Sequence, residues 1–162
     1  GKTLILPARW NLATAKPVLG TNPAEKLLTN GIRGSLKYSD FEWCSWADND
    51  SVSFTIDLLK PEMLNTLILG CITNNGMAIH KPASVRVEVS DDNSKFREAV
   101  VQSFTSEEIF REGNFIENLS LKLGGTQARY VRVTAKGPGV CPASHVRPGQ
   151  TSRIFFDEVM LE

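Results

Sequence analysis

Residues 128–136, Ala-Arg-Tyr-Val-Arg-Val-Thr-Ala-Lys, show the two-residue alternation that decides the fold. Val131, Val133 and Ala135 fall on one side of an extended chain, and the opposite side carries tyrosine, arginine and threonine. Successive side chains of a β-strand point to opposite faces of its sheet, so this pattern predicts a strand with one buried face. The closing run Arg153–Val159 starts with almost continuous apolar residues, as in a strand covered on both faces.

Similar runs occur along most of the chain. Val52–Leu58 and Val85–Val89 alternate in the same way and predict two further strands. Additional strands are predicted within Asn11–Gly20, Leu64–Ile72, Phe96–Phe104 and Leu119–Leu123. Pro61 is expected to separate the strand at Val52–Leu58 from the strand within Leu64–Ile72. Pro23–Leu28 is expected to form one helical turn. About eight strands separated by turns, with no long helical segment, predict an all-β sandwich or barrel.

Length and composition fit one folded domain. The 162 residues include 41% hydrophobic side chains, and 18 basic residues balance 18 acidic ones. A chain without net charge gives no support for binding to nucleic acid or to an anionic membrane. No apolar run reaches the roughly 20 residues that span a bilayer. We assign residues 1–10 to an N-terminal strap and residues 11–162 to the domain, and the start at Gly1 suggests a fragment of a longer protein.

The same stretches resemble a known family. "LTNGIRGSLKYSDFEW", "FTIDL", "HKPASVRVEVSDDNSKF", "ARYVRVTAKGPGVCP" and "FFDEV" are similar, in this order, to discoidin domains, also called coagulation-factor type C modules. That family includes the family 32 carbohydrate-binding modules. The similarity covers roughly Asn11 to Glu162, and the first four stretches are similar, in order, to the domain that follows the catalytic barrel in bacterial β-N-acetylhexosaminidases, or chitobiases.

The resemblance implies a discoidin-like jelly-roll β-sandwich without catalytic chemistry of its own. It implies an accessory domain of a bacterial glycoside hydrolase, outside the cytoplasm, that binds or positions a glycan bearing galactose or N-acetylglucosamine. Its second partner would be the catalytic domain upstream in the same chain. The alternative is a purely structural domain that packs against that catalytic barrel and stabilises it.

Candidate sugar-binding residues occur in three predicted loops. Sugar sites combine an aromatic plate with a few polar groups that both donate and accept hydrogen bonds. The predicted ligand-binding residues are Tyr38, Trp46, Asn74, Asn75, His80, His145 and Arg147. Trp43 belongs to the same loop as Tyr38, and for Trp43 we favour a place in the core. For Trp46 the core and the sugar site remain equal alternatives.

A calcium site is implied by the same resemblance. In such modules a calcium ion often holds the loop after the first strand through backbone carbonyls, an Asp before Gly, a hydroxyl and a Glu near the last strand. The matching positions here are Asn30, Ser35 and Glu158, with carbonyls near Leu28 and Ile32. Asn30 in place of Asp removes one negative charge and should weaken the site. Alternatively, Asn30 and Gly31 form only a turn.

Catalytic and transition-metal sites have little support in the sequence. Cys141 and His145 are near neighbours, but no motif marks a nucleophile, and adding Cys44 gives no Cys-x-x-Cys spacing for zinc. The acidic pairs Glu107-Glu108 and Asp91-Asp92 are read as solvated turn residues. Three cysteines cannot all pair within one chain, and a Cys44–Cys141 disulfide stays open.

Overall fold

The computed structural model describes residues 9–12, 28, 31–46 and 51–162. These residues form seven strands, one single-turn helix and one 3-10 turn. The strands are β1 (Arg9–Leu12), β2 (Cys44–Trp46), β3 (Ser51–Asn74), β4 (Ser84–Ser90), β5 (Arg97–Ser103), β6 (Asn114–Lys136) and β7 (Ile154–Leu161). The helix α1 is Ser106–Ile109 and the 3-10 turn is Asn75–Met77.

Two long strands give the sheet its two layers. β3 has 24 residues and β6 has 23, and they pair antiparallel along nearly their whole length. In one layer, the first part of β3 pairs with β1, and the last part of β6 pairs with β4, which in turn pairs with β5. In the other layer, the last part of β3 pairs with β7, which in turn pairs with β2. One hydrogen-bonded network therefore folds over itself as a β-sandwich, which confirms the predicted fold class.

The bend of the long strands lies where the sequence predicted a break. The β3–β6 register shifts between Asp57 and Glu62, around Pro61, and Leu59 has φ +71°. β6 shifts register beside Gly124 and Gly125, whose φ values are +73° and +70°. Pro61 thus does not end the strand as predicted; it lies at an irregularity where the missing amide hydrogen disrupts no ladder.

The core lies between the two layers and follows the predicted alternation. Val131, Val133 and Ala135 are completely buried, as the pattern of residues 128–136 predicted. The same apolar cluster takes side chains from both halves of β3, from β4 and from β7. Burial of these apolar side chains, at roughly 25 cal/mol per Å², supplies the main stabilisation of the two layers. The closing strand β7 is buried on both faces over most of its length, as predicted.

Two sequence predictions concern the N-terminal part of the chain. β1 begins at Arg9 and pairs with β3 at Asp57, so the sheet starts within the stretch assigned to the strap. The predicted helical turn at residues 23–28 lies outside the described residues except for Leu28, as does most of the strand predicted within residues 11–20.

Candidate functional site

A cleft of about 390 Å³ opens at one end of the sandwich, where three connections meet. The 3-10 turn after β3 contributes Asn75, and the segment around α1 contributes Phe110. The loop between β6 and β7 contributes His145. Cavities that hold small ligands typically measure roughly 300–1,000 Å³. The full lining is Asn75, Ser106, Glu107, Phe110, Glu112, Pro142, Ser144, His145 and Val146.

The backbone around the cleft is fixed by hydrogen bonds between the three connections. The Asn75 amide donates to the Gly113 carbonyl at 3.0 Å, which joins the 3-10 turn to the start of β6. The His80 amide donates to the Arg153 carbonyl at 3.0 Å, next to β7. α1 begins with a capping box, in which the Thr105 hydroxyl and the Glu108 carboxylate each accept from the other's backbone amide. The cleft is therefore built on a rigid frame.

Three aromatic rings form the floor of the cleft and the layer beneath it. The ring centroids of His80 and Phe110 are 5.0 Å apart, and those of His80 and His145 are 5.1 Å apart. Nε2 of His80 lies 2.9 Å from Nε2 of His145, at hydrogen-bond distance. The Arg147 amide donates to Nδ1 of His145 at 2.9 Å. Because Nδ1 accepts this hydrogen bond, the single proton of the neutral His145 ring is placed on Nε2. His145 therefore donates to His80.

The environment of His80 keeps its ring neutral. Burial, and to a lesser extent the neighbouring His145, lower the pKa of His80 from 6.5 to about 4. The backbone of Ile109 opposes this shift without reversing it. A neutral His80 accepts the proton of His145, so the two rings form one directed hydrogen-bonded pair.

A third potential metal ligand lies beside this pair. Atoms of His80, Cys141 and His145 that could bind a metal lie within 4.8 Å of one another, and all three residues are buried. However, a histidine that ligates through Nε2 must carry its proton on Nδ1, where the Arg147 amide already donates. The arrangement therefore suits a hydrogen-bonded pair better than a zinc site.

Four of the predicted ligand-binding residues meet at this end of the sandwich. Asn75 and His145 line the cleft, His80 lies beneath His145, and Nε of Arg147 donates to the Gly76 carbonyl of the 3-10 turn. The Asn75 amide group is 3.0 Å from Nε2 of His145. The nitrogen of that amide group also donates to the Arg111 carbonyl at 3.5 Å.

The other three predicted residues do not line the cleft. Asn74 precedes the 3-10 turn, and its backbone pairs with Ile79. Tyr38 is half-buried and packs edge-on against Phe155 at 6.1 Å between ring centroids. Trp46 corrects our prediction: it is 0% exposed and packs against Phe156 in the core at 5.7 Å, so its ring cannot contact a sugar. Trp43 is buried, as we favoured.

Sequence reasoning missed Phe110, Glu107 and Glu112, which all line the cleft. We predicted no structure for this segment and read Glu107 only as a solvated turn residue. The signal was present in Thr105-x-x-Glu108, the spacing of a capping box. A helical turn begun at Thr105 brings the residues after it back toward the loops, and this places the Phe110 ring beside both histidines.

The family model for the F5/8 type C domain matches residues 13–146. This chain belongs to the F5/8 type C domain family. The match spans most of the sandwich and confirms the resemblance to discoidin domains that the sequence stretches indicated. No curated protein matches the chain significantly by sequence.

Solved structures show the same F5/8 type C fold at low sequence identity. Chitosan-binding module 1 from a chitosanase/glucanase of Paenibacillus sp. IK-5 has a TM-score of 0.64 and 13% identity, over 100% of this chain and 99% of that one. CpGH89CBM32-5 from Clostridium perfringens, in complex with GalNAc-β-1,3-galactose, has a TM-score of 0.62 and 15% identity, over 96% and 94%. The C-terminal domain of a Bacteroides fragilis chitobiase has a TM-score of 0.57 and 15% identity, over 94% and 92%.

In this F5/8 type C domain, the loop before β2 is tied to β7. The Gly31 amide donates to Oε2 of Glu158 at 2.6 Å, and the Val159 amide donates to the Leu28 carbonyl at 2.8 Å. Beside them Arg33 forms an ion pair with the buried Asp157 at 2.8 Å. Of the predicted calcium ligands, Glu158 is completely buried, Ser35 is exposed, and Asn30 lies outside the described residues.

The three cysteines of the domain are buried free thiols. Burial raises the pKa of Cys44 to about 12 and also raises the pKa values of Cys71 and Cys141. A thiol in this condition is a poor nucleophile. The structure therefore contains no Cys44–Cys141 disulfide. Among the described residues, no helix is both long and apolar enough to cross a membrane.

Proposed function

We propose that this F5/8 type C domain binds glycans in the cleft formed by Asn75, Phe110 and His145, without catalysing a reaction. The observation that carries the proposal is the lining itself, in which one aromatic ring stands among amide, hydroxyl and carboxylate groups. An aromatic ring packs against the apolar C–H face of a sugar, and the polar groups satisfy its hydroxyls.

The family and the structural neighbours support this proposal at the level of fold. CpGH89CBM32-5 was solved with GalNAc-β-1,3-galactose, and the Paenibacillus module is named for binding chitosan. We infer a similar ligand class for this chain. We also propose that it accompanies a glycoside hydrolase outside the cytoplasm, of the β-N-acetylhexosaminidase kind. There it would hold the catalytic domain close to polymeric substrate and raise the effective substrate concentration.

Calorimetric titration of the domain with a panel of oligosaccharides tests the proposal. The panel contains GalNAc-β-1,3-galactose, N-acetylglucosamine oligomers and chitosan oligomers. We expect weak binding of at least one glycan, and Phe110→Ala should reduce its affinity about tenfold or more, because a stacking surface of roughly 1.4 kcal/mol is lost. Phe41→Ala is the matched control, because Phe41 is 73% exposed and lies outside the cleft. Absence of binding across the panel at millimolar sugar would refute glycan recognition.

The structural alternative has an observation of its own. Ile32, Leu36 and Phe41 are each more than half exposed and occur in one segment before β2. Exposed apolar residues that cluster often mark a contact with another domain. If the domain serves only to stabilise a neighbouring catalytic domain, Phe41→Ala should lower the melting temperature of the full-length enzyme, and the isolated domain should bind none of the oligosaccharides.

We further propose that a calcium ion binds near Glu158. The residues fit this ion in part, because a fully buried carboxylate accepts from the amide of Gly31, the residue that follows the predicted ligand Asn30 in the sequence. Calcium favours carboxylate and carbonyl oxygens, and the Leu28 carbonyl lies in the same region. The Ser35 hydroxyl accepts from the Lys37 amide at 3.3 Å and keeps a free lone pair. When bound, the ion would supply charge neutralisation for Glu158 and hold the loop against β7.

A further inference from the structure

We infer that Arg147 is a positioning residue that holds the two sides of the cleft at a fixed spacing for a sugar; this inference rests on the proposed glycan binding and deepens it. Arg147 is not among the lining residues. Its backbone amide donates to Nδ1 of His145 at 2.9 Å, and its side chain donates through Nε to the carbonyl of Gly76. Gly76 follows Asn75 in the 3-10 turn. Arg147 therefore joins the two connections that present Asn75 and His145 to the cleft.

The tip of the β6–β7 loop keeps its shape through hydrogen bonds of its own. The Cys141 amide donates to the Gln150 carbonyl at 2.8 Å, which closes the loop at its two ends. Within the tip, the His145 amide donates to the Pro142 carbonyl at 3.0 Å. Residues 141–150 thus form a compact loop packed on itself. Loss of a side-chain tie to the 3-10 turn would leave this loop folded but free to shift against the turn.

The base of the same loop is tied to the end of the 3-10 turn independently of Arg147. The Ser152 hydroxyl donates to the Ala78 carbonyl at 3.2 Å, and the Arg153 amide donates to the same carbonyl at 2.9 Å. These bonds hold the loop where it returns to β7. The tip, which carries His145, lies beyond them, so its position depends on side-chain contacts.

A bound sugar would compete for the other contacts of the tip. The Asn75 amide group is 3.0 Å from Nε2 of His145, and both residues line the cleft, so the hydroxyls of a sugar can replace this contact. The bond from Arg147 to Gly76 lies outside the lining and keeps the two sides in place while the lining groups change partners. A site that already has its binding geometry binds more tightly, because less ordering is required on binding.

An arginine suits this role because its guanidinium is planar and donates in fixed directions. Nε donates to Gly76, and Nη1 donates to Oε1 of Gln150 at 3.4 Å, within the loop of Arg147 itself. The side chain is therefore held by both the turn and the loop. A lysine offers one ammonium on a flexible chain and can reach Gly76 only with less directional control. Arg147→Lys should accordingly retain part of the effect, and Arg147→Ala should lose it.

Calorimetric titration of the Arg147 variants tests the positioning role. The probes are GalNAc-β-1,3-galactose, N-acetylglucosamine oligomers and chitosan oligomers. We expect Arg147→Ala to weaken binding about three- to tenfold and Arg147→Lys only about twofold, because the tip is less ordered before the sugar binds. The urea midpoint of both variants should stay close to that of the wild type, since the loop still closes on itself.

Arg86→Ala is the matched control for these variants. Arg86 is an exposed arginine of β4 that pairs with Glu98 of β5, and neither residue lines the cleft. Its replacement should leave the affinity for every probe unchanged. A large fall in the urea midpoint of both Arg147 variants would instead assign Arg147 to the stability of the fold and overturn the positioning role.

The ring nitrogens of His145 give a second readout in the ligand-free domain. Nitrogen NMR spectra at mildly alkaline pH should show one neutral tautomer in the wild type, with the proton on Nε2. Arg147→Ala should broaden or average these signals, because the tip moves against Asn75 and His80. Arg147→Lys should largely restore them. A residue that only contacts the sugar would leave the spectrum of the free domain unchanged.

Contrary outcomes separate the positioning role from glycan binding itself. If Arg147→Ala lost affinity while the His145 signals stayed as in the wild type, Arg147 would be a direct sugar ligand and the positioning role would be wrong. Unchanged affinity in Arg147→Ala would overturn that role as well. Both results leave glycan binding intact, whereas failure of the wild type to bind any probe would reject the proposed function and the role of Arg147 with it.

Discussion

His80 shows how burial sets the protonation state of one side chain at the base of the cleft. Its ring is 0% exposed, contacts Phe110 edge-on and accepts from His145, so a positive charge there would lose its hydration without gaining an anionic partner. The neutral ring keeps His145 in the orientation that lines the cleft. His80 therefore positions a cleft residue although it does not reach the cleft surface itself.

The free energy of unfolding of the domain should decrease as the pH is lowered, before the carboxylates begin to protonate. The pKa of His80 is about 4 in the folded state and about 6.5 when unfolded, so only the unfolded chain takes up the proton between these values. This contribution is complete above pH 6.5 and decreases as the pH falls toward 4. We expect a loss of about 2 kcal/mol in unfolding free energy by about pH 5. Urea unfolding across this range measures it.

His80→Gln provides the comparison for that measurement. The variant should be less stable than the wild type at neutral pH, but it should lose the slope between about pH 6.5 and about pH 5. Hydrogen bonds lower the pKa values of Asp40, Asp92 and Glu108, so these groups contribute only at more acidic pH. A slope of equal size in His80→Gln would assign the effect to another group.

At the scale of elements, the long pair β3–β6 converts one hydrogen-bonded network into two layers. Its bend needs backbone conformations that L-residues rarely adopt, and Gly124 and Gly125 supply them in β6. A side chain at Gly124 would meet no heavy atom within 4 Å, so any cost of substitution arises from the backbone alone. This position isolates the contribution of conformational freedom to the bend.

Substitutions at Gly124 should destabilise the domain in a defined order. Asparagine tolerates a left-handed backbone best, alanine less, and β-branched valine least. We expect Gly124→Asn to cost less than Gly124→Ala, which should cost about 1–2 kcal/mol, and Gly124→Val to cost the most. Urea unfolding measures the series. Gly76→Ala is the control, because Gly76 lacks a left-handed φ and its nearest contact would be 3.8 Å away. If Gly124→Val were as stable as the wild type, the bend would not require a left-handed backbone conformation at this position.

At the scale of the whole molecule, ligands that bind only the folded state should raise stability, and calcium is the case that tests the loop near β7. Addition of calcium should raise the melting temperature and a chelator should lower it, because binding stabilises the folded state by mass action. Glu158→Gln should remove most of this difference, whereas Glu98→Gln should preserve it. Differential scanning fluorimetry compares the wild type and both variants, each with calcium and with chelator. Identical melting with calcium and with chelator in the wild type would refute the proposed site.

The sequence alone determined most of the strands, their buried faces and the family, although β2 lies in a stretch that was predicted as a loop. Alternation in residues 128–136 predicts a strand because a two-residue period is a local property of the extended chain. The same holds for Val85–Val89 and for β7, and the spacing of the stretches indicated the discoidin fold. Loop composition also pointed to Asn75, His80 and His145, because polar residues that gather between strands commonly serve in binding.

Only the tertiary structure decided which loops meet and which aromatic ring faces the cleft. Trp46 and Phe110 both follow locally plausible patterns, but the β2–β7 pairing buries Trp46 and the capped turn of α1 brings Phe110 beside the histidines. The continuation of β3 through Pro61 likewise depends on its partner strand. The neutral state of His80 depends on residues far away in sequence. Burial and long-range pairing are properties of the assembled layers, so no local period could encode them.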